Sequence, residues 1–150
     1  MIPLECIKGC KLFKTFPDEL IEEIADVGIQ LSYKANDILF NIDEPADNMA
    51  ILMKGSVSIM TTKRTQLIPV QTIYPGDPFA LSSMITGRFI AAAKALEDST
   101  ICALPVYRMQ KILEKDYRAA YFFMKQIALL VSNRLVKMHY RLDVTGSGYI

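Results

Sequence analysis

Few residues in this chain are of a type and spacing that could carry chemistry. There is a single histidine, His139, whereas a multi-histidine metal cage needs several. The cysteines are Cys6, Cys10 and Cys102, an odd set that suits a reducing, cytoplasmic setting better than a disulfide framework. Cys6 and Cys10 stand at i and i+4, on one face of a short helix, which raises a redox or metal-sensing role. A buried or incidental thiol is the simpler account. His139 lies between Met138 and Tyr140, a solvent or interface position rather than that of an axial ligand to haem. No Gly-x-Ser-x-Gly, no phosphate loop and no usable Cys/His pair occurs, so a binding module is expected and not an enzyme. What remains is Phe79-Ala80-Leu81-Ser82-Ser83-Met84-Ile85, followed after Thr86-Gly87 by Arg88-Phe89-Ile90. It reads as a short helical piece between turn signals, a place where backbone amides could face a ligand.

The elements around it must hold that segment in place. The chain has 150 residues, 51% hydrophobic and 22% charged, enough for one domain with its own core and without staples. Its longest apolar run, Ala119–Met124, is far short of the ~18 residues of a membrane span. The opening Met1-Ile2-Pro3-Leu4-Glu5 lacks the basic and apolar regions of a signal peptide. Residues 1–28 read as helical: Thr15 offers a cap, Pro17 suits a first turn, Leu20, Ile21, Ile24 and Ala25 form a stripe, and Gly28 stops it. Residues 30–105 read as strands Gln30–Tyr33, Ile38–Asn41, Met49–Lys54, Ser56–Thr62, Leu67–Tyr74, Ala91–Leu96 and Thr100–Pro105, with Gly, Pro, Asn and Asp between them. Such a series predicts an antiparallel sandwich, jelly roll or barrel.

Residues 106–142 turn helical again, with a short helix Val106–Leu113 and a long one Tyr117–Leu142. Tyr121, Met124, Ala128, Val131, Leu135, Met138 and Leu142 alternate in steps of three and four, the spacing of a coiled-coil seam. A second stripe, Ala120, Phe123, Ile127 and Leu130, covers the neighbouring face of the first half. Two apolar faces call for two packing partners, and the simplest pair is the strand region and a second copy of the chain. The alternative is a monomer core that takes both. This segment also carries eight Lys/Arg against two Asp/Glu in a chain of net charge +1. The asymmetry suits a solvated helix face, or else nucleic acid or an acidic partner. The domain is thus expected over 1–142, with 143–150 as a flexible tail.

The order helix, strands with an internal short helix, then seam helix resembles the cyclic nucleotide-binding domains, in particular the sensor domain of CRP/FNR regulators, over residues 12–142. The residues that carry it are Leu12-Phe13 with Phe16-Pro17-Asp18-Glu19-Leu20; Tyr33-Lys34 with Ile38-Leu39-Phe40 and Glu44-Pro45-Ala46-Asp47; Met49-Ala50-Ile51-Leu52-Met53-Lys54-Gly55-Ser56-Val57; and Pro75-Gly76-Asp77 with Phe79. The resemblance implies a mainly β jelly roll (a double-stranded β-helix) flanked by helices, and a regulatory role. It implies a phosphate-binding cassette of pattern Phe-Gly-Glu-(Leu/Ile)-(Ala/Ser)-Leu, then Arg-(Ser/Thr)-Ala-x-Val-x-Ala. There the arginine pairs with the cyclic phosphate and the glutamate holds the ribose.

Here the cassette is degenerate. Ala80 replaces the glycine and Leu81 the glutamate. Ala91, Ala93 and Ala95 set the register of the second part, so that Phe89 falls on the arginine position and Ile90 on the Ser/Thr position. Arg88 is one residue early, and a slip of one in an extended segment turns a side chain to the other face. A distortion near Thr86-Gly87 is the route by which Arg88 could still serve the phosphate. Loss of the arginine costs roughly 3–5 kcal/mol for a buried charge, and loss of the ribose contact roughly 1.5–3 kcal/mol. Cyclic AMP and cyclic GMP are therefore disfavoured as cofactors, and another apolar or redox effector stays open. The family's glycines near Ala35 and Asp43 are also missing, although Asn36 and Asp43 tolerate left-handed backbone. Relatives that bind DNA carry a helix-turn-helix after the seam helix. The eight residues Asp143–Ile150 leave no room for one, so this chain alone is expected not to read DNA. The expected partners are a second copy and a protein that the sequence does not name.

Overall fold

The computed structural model describes residues 1–142. The chain opens with helix α1 (Leu4–Lys8), a single 3-10 turn (Lys11–Phe13) and helix α2 (Asp18–Val27). Eight strands follow: β1 (Ile29–Tyr33), β2 (Ile38–Phe40), β3 (Asn48–Lys54), β4 (Val57–Lys63), β5 (Gln66–Ile73), β6 (Pro78–Phe79), β7 (Ala92–Ala95) and β8 (Ser99–Pro105). A 3-10 helix (Leu81–Met84) interrupts them, and α3 (Val106–Leu113) and α4 (Tyr117–Leu142) close the fold. The strands make two four-stranded antiparallel sheets, ordered β1-β8-β3-β6 and β2-β7-β4-β5. This is the expected jelly roll.

The first sheet is apolar on both faces because it lies between two cores. Along β3, Met49 and Ile51 join the helices, while Ala50 and Leu52 turn to the second sheet. Along β8, Cys102 and Leu104 face the helices, and Ile101 and Ala103 face inward. The two-residue alternation of a strand thus feeds both layers from one run of residues. β5 is an edge of the second sheet and holds Pro69 opposite Met60, beside a break in register at Ile59/Met60. Only an edge tolerates a residue without an N–H to give to a ladder.

The loops are closed by carboxylates placed three residues on. Asp37 accepts the Lys34 amide at 2.8 Å, Glu44 the Asn41 amide at 2.7 Å, and Asp77 the Tyr74 amide at 3.0 Å. Asn36 and Asp43 take φ of 75° and 70°, the left-handed backbone that the missing glycines would otherwise supply. Gly55, at φ +97°, joins β3 to β4 where an added Cβ would lie 2.3 Å from Ser99 Oγ and 2.6 Å from the Asp98 carbonyl oxygen. No larger residue fits that turn.

Several local expectations are corrected. Thr15 does not cap α2; Pro17 holds the cap position without a side-chain bond, and its carbonyl accepts the Leu20 and Ile21 amides. Gly28 ends that helix in extended and not left-handed backbone, φ −68° and ψ 143°. Its smallness serves packing, because a Cβ there would meet Ile2 and the Cys102 sulfur. Cys10 lies beyond α1, so it does not share that helix with Cys6. Phe79 belongs to a two-residue strand, and the expected short helix spans only Leu81–Met84.

α4 packs one face of its first half on the helical core. Ala119, Phe123 and Ile127 are buried, and Phe123 stacks on Phe13 with centroids 5.5 Å apart and Phe16 at its edge. The seam faces elsewhere for Tyr121, Met124, Ala128 and Leu135, which are all exposed. Val131 departs from it, packing in part against the helical core. The side chains of Met138 and Leu142, and the tail 143–150, lie outside the described residues.

Candidate functional site

The interior of the roll is built on the cassette helix. Its entry residue, Ala80, sits at φ 59° and ψ 36°, a left-handed conformation that costs an alanine roughly 1–2 kcal/mol. The bend is needed because β6 must leave the first sheet and turn at once into Leu81–Met84. Ser83 holds the turn from within, its hydroxyl donating to the Ala80 carbonyl at 2.7 Å. Thr86 Oγ1 ties the far end to the carbonyls of Ser82 and Arg88.

Over this turn lies a cavity of about 170 Å³. Of the cassette residues singled out from sequence, Ala80, Leu81, Ser82, Phe89 and Ile90 line it. Phe79 lies below, fully buried in the core between the sheets. Ser83 and Arg88 are not part of the wall. Arg88 is exposed, and its Nη1 donates to the Asp43 carbonyl, while its backbone bridges to Pro45. The distortion at Thr86-Gly87 therefore steers this guanidinium to the loop before β3, away from the interior.

Leu81 is 2% exposed and belongs to the helical core; no carboxylate stands in its place. Phe89 lies flat on Phe40, with centroids 3.8 Å apart and planes within 12°, and Phe40 in turn faces Phe79 at 6.3 Å. Phe40, Phe89 and Ala80 also border a second, wider cavity of about 450 Å³ that reaches Tyr33, Glu44 and Asp47. The stacked rings are a wall common to the two spaces.

Three residues of α4 complete the first cavity: Val131, Arg134 and Leu135. Val131 and Leu135 are on the seam by spacing, yet both reach this wall. Arg134 was not singled out from the sequence, since it lies among solvated bases on a helix wheel. Its Nε donates to Gln71 Oε1 at 2.8 Å and its Nη2 to the Pro78 carbonyl at 2.7 Å, so it pins α4 to β5 and to the start of β6. Burial pulls its pKa down to about 10, opposed by the nearby Asp77 carboxylate, and it remains cationic at neutral pH. A basic residue one turn from two apolar seam positions was the available signal.

The thiols offer little reactivity. Burial pushes Cys10 up to about 11 and Cys102 up to about 12, and raises Cys6 above its ordinary value, so few thiolates form near neutral pH. Among the described residues no group of three or more His, Cys, Asp or Glu is placed to hold a metal ion, and no helix is long and apolar enough to cross a membrane.

Comparison with known proteins gives the wider setting. The chain is similar to a protein of Geobacter metallireducens named for cyclic nucleotide binding, with 24% identity and a TM-score of 0.76, over 90% of this chain and 99% of that one. It is similar to the sensor domain of the transcriptional regulator DNR from Pseudomonas aeruginosa, with 17% identity and a TM-score of 0.75, over 87% of this chain and 89% of that one. A third likeness is to the regulatory domain of a Toxoplasma gondii protein kinase A solved with cAMP, with 13% identity and a TM-score of 0.69, over 73% of this chain and 42% of that one. Among curated proteins none matches the sequence. The family model described as the cyclic nucleotide-binding domain matches residues 30–116, from the first strand through the cassette to the end of α3, and the chain belongs to that family.

Proposed function

We propose that this chain is a regulatory module of the cyclic nucleotide-binding family that takes neither cAMP nor cGMP, and that it pairs with a second copy through the outer face of α4. One observation carries the reading of the cassette. Buried Leu81 occupies the position that the family gives to the ribose carboxylate, and Phe89, packed on Phe40, occupies that of the phosphate arginine. Arg88 is bound elsewhere. A cyclic nucleotide would meet apolar groups at both places where the family's chemistry needs charge, a combined loss of roughly 4.5–8 kcal/mol.

Titration calorimetry with cAMP and cGMP tests this. No measurable heat is expected, and micromolar affinity for either overturns the reading. A Leu81→Glu/Phe89→Arg variant that gains binding where the parent has none supports the register. Pairing through α4 is supported by its row of exposed apolar residues, with Tyr121 at 69% and Leu135 at 65% exposure. Tyr121→Asp/Ala128→Asp, both away from the cavity, should elute as a monomer on size exclusion beside a dimeric parent. An unchanged elution volume sinks the pairing. The reading needs no catalytic group, metal or cofactor, and it places the module in the cytoplasm, where three free thiols persist.

A further inference from the structure

We propose that the cavity under α4 is a binding site for a small amphipathic monocarboxylate, an aromatic or short aliphatic body with one carboxylate, which Arg134 receives. The inference rests on the reading above, that the cavity is not a cyclic nucleotide site, and it gives that cavity a ligand class.

Size comes first. About 170 Å³ is close to the ~150 Å³ void that takes up benzene in a protein core. It is below the ~300 Å³ at which ordinary drug-sized sites begin. A single ring or a chain of a few carbons fits, and a base with its ribose and phosphate does not. The walls give the second constraint. Ile59, Val70, Leu81, Phe89 and Ala91 present hydrocarbon, so most of the ligand must be apolar.

Charge gives the third. Arg134 is a cation on the wall of that hydrocarbon space, and its two hydrogen bonds go to neutral acceptors, Gln71 and the Pro78 carbonyl. Among the described residues no carboxylate forms an ion pair with it. The two bonds fix the plane of the guanidinium; the Asp77 carboxylate favours its charge from nearby but makes no ion pair with it, so the partly buried charge is balanced only in part. With Nε and Nη2 engaged, the donors open to a carboxylate are those of Nη1 and the second Nη2 proton, and one unit of charge balances one. Ser82, buried on the same wall, adds a hydroxyl. Inorganic phosphate would find these two polar groups and otherwise hydrocarbon, too few donors for its oxygens. A carboxylate is the anion that matches.

The probes are phenylacetate and its neutral isostere phenylacetamide, titrated by calorimetry or by amide chemical shifts into the intact chain. Phenylacetate is expected to bind at least tenfold more tightly than phenylacetamide. Arg134→Met should reduce that preference to less than twofold. Arg134→Lys, which keeps the charge and loses the fork, should retain part of it. Ala91→Leu fills the cavity from the residue before β7, leaves the guanidinium in place, and should weaken both probes alike, which keeps the test sound if Arg134→Met fails to fold. Equal binding of the two probes, an undiminished preference in Arg134→Met, or no binding of either by the parent overturns the inference. Cyclic AMP is titrated in parallel. If phenylacetate fails and cAMP also fails, this inference alone falls; if cAMP binds, the preceding reading falls, and with it the ligand class argued here.

Discussion

The core between the helices and the first sheet is filled by large side chains. Phe13, Phe16 and Phe123 make an aromatic cluster, and Ile7, Leu12, Ile21, Ile24, Met49 and Ile51 are almost wholly buried around it. The core between the two sheets is of a different make. Ala50, Ala80, Ala93 and Ala103 occupy inward positions there, and the two cavities that meet at Phe40 and Phe89 lie on that side. Close packing is the default in protein interiors, and three of these alanines, Ala50, Ala80 and Ala103, border open space instead. The helical side holds the fold together, and the inter-sheet side holds room.

The largest effect expected from this contrast concerns its two aromatic anchors. Phe123→Ala should cost about 3–5 kcal/mol by urea denaturation, as for a buried phenylalanine in a packed core. Phe89→Ala, which borders open space and loses mainly its stacking on Phe40, should cost about 1–2 kcal/mol. Equal losses would break the comparison. Next in size is an alkaline effect confined to the helical side. The folded protein holds Cys10 at about 11 and Cys102 at about 12, while the unfolded chain ionises them near the ordinary value. Their contribution is therefore complete below pH 9 and is lost as pH rises through 11 and 12. The slope is about 1.4 kcal/mol per pH unit for each thiol. Urea midpoints at successive alkaline pH values should fall more steeply for the parent than for Cys102→Ala. Parallel slopes would show that burial of the sulfur is not the cause. The smallest change belongs to the inter-sheet side. Ala80→Gly relieves the left-handed alanine at the cost of a freer unfolded chain, and should stabilise by roughly 0.5–1 kcal/mol. A loss of stability there would mean that the Ala80 methyl contributes more by packing than its backbone costs.

Much of the fold was legible because its signals are local. Turn residues and two-residue alternation place seven strands within a residue or two of where they lie, from Ile29–Tyr33 to Ser99–Pro105. The strand Pro78–Phe79 escaped, since two residues have no periodicity to detect. The cassette was legible in part: Leu81, placed by the residues that follow Phe79, and Phe89, placed by the register of Ala91, Ala93 and Ala95, both line the first cavity. Spacing turned Arg88 away from the interior, but its partner there, the Asp43 carbonyl, lies in a loop whose path no spacing encodes. The long helix shows the limit most clearly. A three-and-four pattern identifies a stripe without saying what covers it. Val131 shares the spacing of Ala128 and Leu135, yet it leans on the core while Ala128 faces outward. Arg134 looked like one more solvated base, because its partners, Gln71 and Pro78, come from strands some sixty residues earlier.

The two bonds from Arg134 to Gln71 and Pro78 have a thermodynamic consequence. They make the position of α4 and the shape of the cavity one variable, because the helix cannot lift from β5 without removing the wall that Val131, Arg134 and Leu135 supply. Any solute that prefers the closed wall must hold the helix down, and the preference is reciprocal. A molecule that captures the exposed face of α4 in that position would raise affinity in the cavity by the same factor that occupancy raises its own. The cavity of about 170 Å³ is thereby coupled to the outer face of α4, with which it shares Leu135.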